Sequence, residues 1–106
     1  MSKHSYGLKL TPKANDDLDE IYSYITGELD AEKAAMRLFE KIETSIMRLR
    51  DFPFSCNHVN DEFLKMKGYR KLIVDNYIAF YVVDEEQRQV VVMRVLYGRR
   101  KYENIL

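Results

Sequence analysis

The spacing of apolar residues changes once along the chain, and this change restricts the fold more than any other feature. Between residues 14 and 49 the apolar positions recur every three or four residues, as on one face of a helix. Between residues 69 and 97 they form runs rich in β-branched and aromatic side chains, as in strands. A chain of 106 residues, 46% of them hydrophobic, has room for one modest core. We therefore expect a single domain, residues 1–106, of the α+β class.

The first half of the chain predicts one short strand followed by two helices. Residues 6–10 alternate apolar and polar side chains, and the Thr11-Pro12 pair that follows suits the cap and first position of a helix. We expect this helix to end at Gly27 and a second helix to be capped by Asp30. Each helix carries one apolar stripe. The stripes are Ala14, Leu18, Ile21, Tyr22 and Ile25 on the first helix, and Ala35, Leu38, Phe39, Ile42, Ile46 and Leu49 on the second.

The second half predicts a three-strand meander. The second helix is expected to stop at Pro53, and residues 51–66 are expected to be irregular. A tight turn at Asp75-Asn76 is expected to join the first two strands of the meander, and a longer polar turn at residues 84–88 to join the last two. The predicted strands are residues 69–74, 77–83 and 90–97. The element order is then β-α-α-β-β-β, with a helical hairpin packed on one face of an antiparallel sheet and the other face partly open.

Cations gather in the strand-rich half of a chain that has no net charge. Lys and Arg number 17 and balance 17 acidic residues, so binding to a polyanion requires a local patch. Two short stretches hold eight cations: Lys65, Lys67, Arg70, Lys71, Arg94, Arg99, Arg100 and Lys101. Such clusters suit phosphate recognition, and tyrosines offer faces for unstacked bases. The tyrosines in question are Tyr69, Tyr77, Tyr81, Tyr97 and Tyr102. For these residues considered alone, solvated strand ends and ordinary core packing are the preferred explanation.

Metal and nucleophile chemistry have little support in the sequence. Cys56 and His58 form the only close Cys/His pair, and no second pair completes a metal site. There is no glycine-rich phosphate loop, so we expect neither a cofactor nor a metal. The single cysteine and the lack of a long apolar run favour a cytoplasmic protein with no membrane contact. The acidic residues of the first helix are expected on its solvated face: Asp16, Asp17, Asp19 and Glu20.

Four stretches of the sequence resemble the RelE/ParE superfamily of toxins from type II toxin–antitoxin systems. They are LTPKANDDLDEIYSYI (10–25), RLRDFP (48–53), GYRKLIVDNYIAFYVVDEE (68–86) and VVVMRVLYGRRKYENIL (90–106). Together they cover nearly the whole chain. The resemblance implies a small α+β toxin that arrests bacterial growth and is held inactive by a cognate antitoxin protein.

The resemblance implies two different targets. RelE-like members cut messenger RNA in the ribosomal A site without a metal, whereas ParE-like members poison DNA gyrase. Carried over to this chain, the candidate catalytic residues are Arg70 or Lys71, Arg99 or Arg100, and Tyr102. RelE-like enzymes often carry an arginine in the third strand where this chain has Ile78. A ParE-like function is therefore slightly preferred, and a RelE-like endoribonuclease and a non-toxic regulatory partner of an antitoxin are the alternatives.

Side chains alternate between the two faces of a strand, so the candidate cations are not all expected on the same face of the sheet. Arg70 and Lys71 are neighbours, so they are expected on opposite faces of the sheet. Arg94 is expected either to join the basic surface or to form a salt bridge on a half-exposed face. The terminal Ile105-Leu106 pair is expected to pack on the helices. An antitoxin is expected to cover the open sheet face or to displace the C-terminal segment, with its carboxylates against the cations.

Overall fold

The computed structural model describes residues 5–99 and Leu106. Its elements follow the predicted order β-α-α-β-β-β, with one additional short helix before the meander. The elements are β1 (Gly7–Leu10), α1 (Pro12–Ser23), a π-helical turn (Tyr24–Glu28), α2 (Glu32–Arg48), α3 (Glu62–Met66), β2 (Arg70–Val74), β3 (Tyr77–Asp84) and β4 (Gln89–Tyr97). Within the described part of the chain, no helix is long and apolar enough to span a membrane.

The strands form one sheet in the order β1-β4-β3-β2. The meander β2-β3-β4 is antiparallel, as predicted, and β1 joins the outer side of β4 in parallel. Asp75 takes a positive φ of 54° in the predicted turn between β2 and β3, a conformation that aspartate tolerates better than most residues. The pairing places Lys71 opposite Phe80, and Phe80 opposite Arg94, across three neighbouring strands.

A β-bulge in β4 is held in place by the start of α1. Phe80 pairs with Arg94 and Tyr81 with Val92, so Met93 is an extra residue in β4. The carbonyl of Met93 accepts a hydrogen bond of 2.8 Å from the Thr11 hydroxyl. The same hydroxyl oxygen accepts the N–H of Ala14 at 3.1 Å, which caps α1 as predicted. The cap of α1 is therefore also a clamp on the bulge.

The helix ends differ from those predicted. Gly27 does not end α1, because it lies inside the π-helical turn that continues the helix to Glu28. The chain reverses at Asp30, whose φ is 49°, so Asp30 cannot be the N-cap of α2. The N-cap is Ala31, which has no side chain able to accept a hydrogen bond. The second helix stops at Arg48, five residues before Pro53, in turns that bury Leu49.

The segment that was expected to be irregular contains α3. Asp61 caps it by accepting the N–H of Leu64 at 3.0 Å, and Leu64 is 2% exposed. Five residues are too few for a helix to be stable alone, so its stability comes from the packing of Leu64. The sequence pattern DEFLKM carries one buried residue only, which is why periodicity did not reveal it.

Two apolar clusters lie on opposite faces of the sheet. The first joins the sheet to α1 and α2 and contains most of the predicted stripes, including Ala14, Leu38 and Ile42, which it joins to Tyr81 of β3. The second joins the other face to α3 and the loop before it, through Val59, Leu64, Tyr69, Phe80 and Leu96. Leu106 packs on this second cluster, so the expectation that it would pack on the helical hairpin is wrong. Ile105 lies outside the described residues.

Candidate functional site

Arg94 is held by an internal carboxylate. Its Nε donates to Asp17 Oδ2 at 2.7 Å and its Nη2 donates to Asp17 Oδ1 at 2.9 Å, a bidentate pair. The N–H of Val95 also donates to Asp17, at 2.9 Å. The hydrogen bond from Asp17 raises the pKa of Arg94 against the effect of burial. The salt bridge was one of the two expectations for Arg94, whereas the expectation that Asp17 is solvated is wrong, since Asp17 is 7% exposed.

Arg70 and Lys71 diverge at the start of β2. Arg70 Nη1 donates to the carbonyl of Cys56 at 2.6 Å, and its guanidinium lies 5.1 Å from the centre of the Phe54 ring. Lys71 pairs with Phe80, so it lies on the face of the second cluster. The two cations therefore occupy opposite faces, in keeping with the strand alternation. Arg70 is anchored to the loop, and Lys71 is the one that shares a face with the second cluster.

Arg99 lies at the far end of the sheet from Arg70 and Lys71. It lines a small cavity of about 160 Å³ together with Ile73, Ile78 and Tyr97. Lys71 is level with Arg94 two strands away, and Arg99 follows Arg94 by five residues, which is roughly 16 Å along an extended strand. The structure does not bring the three described candidates together. The other two candidates, Arg100 and Tyr102, lie outside the described residues.

An aliphatic row occupies the sheet where the candidates were expected to meet. Ile73, Ile78 and Leu96 are cross-strand partners on β2, β3 and β4. Ile73 is 63% exposed and Leu96 is 3% exposed, so the row runs from solvent into the second cluster. Aliphatic side chains neither bind phosphate nor transfer a proton. The row therefore gives this surface the character of a packing or docking face.

Two of the four described tyrosines that could serve as base platforms are core residues. Tyr69 and Tyr81 are buried, and the Tyr81 hydroxyl donates to the carbonyl of Pro53 at 2.9 Å. Burial, more than its contact with Cys56, raises the pKa of Tyr81. Tyr77 and Tyr97 contact each other edge to face with ring centres 5.7 Å apart. Burial and the neighbouring phenols of Tyr97 and Tyr24 raise the pKa of Tyr77. Tyr97, at 40%, is more exposed than Tyr69, Tyr77 and Tyr81.

The Cys56–His58 segment is part of the sheet edge. His58 forms an isolated antiparallel bridge with Arg70. Burial, then the charges of Arg70 and Lys65, lower the pKa of His58. Cys56 is a free thiol whose Sγ lies 4.0 Å from the Ser55 hydroxyl. Residues 5–99 and Leu106 contain no group of three His, Cys, Asp or Glu side chains that could hold a metal ion.

An apolar groove on the helical side was not expected from the sequence. It has a volume of about 540 Å³ and lies between α1, α2 and β1. Its apolar walls are Leu8, Leu10, Leu18, Tyr22, Met36, Phe39, Ile42, Ile46 and Met47, and its acidic residues are Glu40 and Glu43. Several of these residues belong to the predicted stripes. Periodicity marks an apolar stripe but does not say how much of it the sheet covers, so the groove had no separate sequence signal.

Comparison with known proteins places this fold in a class. The chain is similar to the chromosomal ParDE toxin–antitoxin system from P. aeruginosa, with a TM-score of 0.71, 23% identity, and coverage of 90% of this chain and 98% of that chain. It is similar to the RelBE2 toxin–antitoxin complex from Mycobacterium tuberculosis, with a TM-score of 0.59 and 20% identity over 88% and 98% of the two chains. The isolated E. coli RelE toxin gives a TM-score of 0.51 and 19% identity over 96% and 100%. The fold is that of a RelE/ParE superfamily toxin.

Residues 8–102 match the ParE toxin family, described as the ParE toxin of the type II toxin–antitoxin system parDE. The chain belongs to this family and is a ParE-like toxin of a type II toxin–antitoxin system. A comparison with curated proteins finds no match.

Proposed function

We propose that this toxin arrests bacterial growth by binding DNA gyrase and that it acts as a binding protein, without catalysing a reaction. The aliphatic row formed by Ile73, Ile78 and Leu96 carries this proposal. A metal-independent ribonuclease must hold a scissile phosphate and move protons, which needs cationic and acid–base groups around one point. The row puts three side chains without any such group on the part of the sheet between Lys71 and Arg99. The membership of the ParE family supports the same target.

The charges of the described residues also favour binding over catalysis. Arg94 forms a salt bridge with Asp17, and Arg70 donates a hydrogen bond to the carbonyl of Cys56. Lys71 lies near the start of β2 and Arg99 follows the opposite end of β4, so the backbone does not bring these two cations to one point of the sheet. A protein surface needs no such convergence, because separate side chains of a flat interface each contribute to affinity.

A RelE-like endoribonuclease is the second candidate, and the position of Lys71 is the observation in its favour. Lys71 lies on the same face of the sheet as Phe80 and is level with Arg94. An RNA strand that crossed this face could contact Lys71. Arg99, Arg100 and Tyr102 follow β4 in sequence. A toxin that cleaves RNA would use these residues, and a gyrase-binding toxin would not need Tyr102 for proton transfer.

We place a cognate antitoxin in the apolar groove between α1, α2 and β1. The groove is mostly apolar, and Glu40 and Glu43 lie on its α2 side. An amphipathic helix with an apolar face and a flanking cation complements such a groove. The binding of one partner in the groove leaves the second cluster, on the other face of the sheet, uncovered. The ParDE and RelBE2 systems, which are similar in fold, are described as toxin–antitoxin systems or complexes.

Expression of the toxin without its antitoxin separates the two targets. Purified toxin is expected to inhibit supercoiling by DNA gyrase and to stabilise cleaved DNA on the enzyme, and cells are expected to show a DNA damage response. Cleavage of ribosome-bound messenger RNA at codon-spaced positions, with gyrase activity unchanged, would replace gyrase by the ribosome as the target. A lack of growth arrest, despite folded protein in the cell, would point to the regulatory partner. The target and the single cysteine both fit action in the cytoplasm.

A pair of variants tests the catalytic candidates directly. Under the gyrase proposal, Tyr102→Phe leaves growth arrest unchanged, because a phenol is not needed as an acid. Under the ribonuclease alternative, Arg100→Ala abolishes toxicity while binding to the antitoxin persists. Arg99→Ala and Lys71→Ala complete the set, and the loss of RNA cleavage in these variants without any loss of affinity for the antitoxin would favour the alternative.

A further inference from the structure

The helix α3 holds two large apolar side chains in solvent. Phe63 is 64% exposed and Met66 is 84% exposed, and both exceed every other large apolar residue in residues 5–99. They are three residues apart, so they lie on the same side of the helix. Between them Leu64 is 2% exposed and anchors the helix in the second cluster. The exposure is thus built into an anchored element and does not come from a loose end.

Cations flank these two residues. The Nζ atom of Lys67 lies 4.5 Å from the centre of the Phe63 ring, and Lys65 is close enough to His58 for its charge to lower the pKa of that imidazole. Neither lysine forms a salt bridge with any of the residues that the structure describes. On the acidic side, Asp61 is engaged as the cap of α3, and Glu62 is the exposed carboxylate of this helix. We call Phe63, Lys65, Met66 and Lys67 the α3 patch.

We propose that this toxin binds its target through the α3 patch. The patch is complementary to a protein surface that carries carboxylates around an apolar recess. Exposed adjacent apolar side chains mark interaction sites, and aromatic side chains in particular carry interface energy. Two lysines beside them complement carboxylates on the partner and would speed the encounter. This inference rests on the proposed function, since it assigns to the patch the contact with gyrase.

The position of the patch separates it from the antitoxin groove. The helix α3 packs on the second cluster, whereas the groove is formed by α1, α2 and β1 on the side of the first cluster. A helix in the groove therefore leaves Phe63 and Met66 where they are. Variants of the patch can accordingly be tested for toxicity and for antitoxin binding independently.

A protein partner fits the patch better than a nucleic acid. Strong binding to a nucleic acid uses several phosphate contacts along a basic track. The patch has two lysines, and α3 begins with the acidic residues Asp61 and Glu62. Met66 is the most exposed large apolar residue in the described part of the chain, and an unbranched thioether adapts to a protein pocket but offers no flat face to a base.

The test uses Phe63→Ser/Met66→Ser and Lys65→Glu/Lys67→Glu, with Leu29→Ser and Lys13→Glu as controls. Leu29 is 55% exposed, and Lys13 is exposed on α1, so each control makes one substitution of the same kind at another place. Growth arrest, affinity for purified gyrase, affinity for the antitoxin and circular dichroism are measured for each protein. We expect both patch variants to lose growth arrest and to bind gyrase at least tenfold more weakly, with antitoxin binding and fold unchanged. The controls should behave as the wild type.

Each other outcome has a definite meaning. Full toxicity in both folded patch variants would overturn the assignment of the patch. A wild type that does not act on gyrase, together with patch variants that lose growth arrest, would reject gyrase as the target and keep the patch. A weaker affinity of the patch variants for a single-stranded RNA or DNA oligonucleotide, with gyrase binding unchanged, would overturn the choice of a protein partner. A wild type that causes no growth arrest would overturn both proposals.

Discussion

Asp17 on α1 and Arg94 on β4 form a bidentate ion pair across the interface between the helical hairpin and the sheet, with N–O distances of 2.7 and 2.9 Å. The pair meets the β-bulge at Met93, and Asp17 also accepts the N–H of Val95. A bulge disturbs the ladder of its strand, and the polar groups it leaves must find partners elsewhere. The first two turns of α1 supply them here, through Thr11 and Asp17.

Asp17→Asn should therefore lower the stability of the toxin. The amide keeps one acceptor for Val95 but leaves the Arg94 guanidinium, whose side chain is only 16% exposed, without its carboxylate. We expect a loss of about 2–3 kcal/mol in the free energy of unfolding, measured by urea denaturation. Asp19→Asn, at an exposed site on the same helix, should change the free energy by less than about 0.5 kcal/mol. Equal effects of the two substitutions would contradict the structural role of Asp17.

Tyr81→Phe tests the internal hydrogen bond between β3 and the loop after α2. The phenol of Tyr81 donates to the carbonyl of Pro53, and both residues are buried. Its removal leaves that carbonyl without its donor, at a cost of about 1–2 kcal/mol in the free energy of unfolding. Tyr97→Phe makes the same chemical change at a side chain that is 40% exposed and should be nearly neutral. If Tyr81→Phe proved as mild as its control, water would have to replace the lost donor.

Much of the fold could be predicted from the sequence because the spacing of apolar residues and the capping residues determine it locally. The apolar stripes of Ala14 to Ile25 and Ala35 to Leu49, the Thr11-Pro12 start and the turn at Asp75 are local features, and the structure contains all of them. The ends of the helices were wrong where tertiary contacts override a local signal. Gly27 is a typical C-terminal residue, yet it lies inside the π-helical turn that follows α1, in which Ile25 is buried in the first cluster.

The candidate site was less accessible, since it depends on which residues a bulge brings together. Nothing in the sequence distinguishes Asp17 from the acidic residues around it. Its pairing with Arg94 depends on the β-bulge in β4. The helix α3 and its exposed Phe63 and Met66 gave no periodic signal because the helix has a single buried residue. The alternation of Arg70 and Lys71 was predictable, because neighbours in a strand always point to opposite faces.

The pKa of His58 should respond to one particular lysine. Burial, Arg70 and Lys65 hold it below the usual value of 6.5. Lys65→Gln removes one of these charges and should raise the pKa of His58, as measured by NMR titration of the imidazole. Lys67→Gln, in which the lost ammonium lies against the Phe63 ring, should leave it nearly unchanged.

The same shift predicts how stability depends on pH. Because the folded pKa of His58 is depressed, the unfolded chain binds the proton more readily in the range just below pH 6.5. The contribution of His58 to stability is therefore complete above about pH 6.5 and is lost as the pH falls through the folded pKa. His58→Asn should flatten this part of the stability curve. An unchanged curve in the variant would show that other groups cause the pH dependence.

The antitoxin groove can be tested with a side chain that the fold does not need. Met36 lines the groove and is 58% exposed, so Met36→Asp places a charge beside Glu40 and Glu43 without entering the core. An antitoxin helix that buries its apolar face there would have to desolvate this carboxylate, and we expect its affinity to fall at least a hundredfold in titration calorimetry. Leu29→Asp introduces the same charge at a residue of similar exposure outside the groove and should leave the affinity within a factor of about three. Since the groove is separate from the α3 patch, Met36→Asp should also remain toxic and should escape neutralisation in cells that express both proteins. Retained neutralisation in the folded variant would place the antitoxin on another surface.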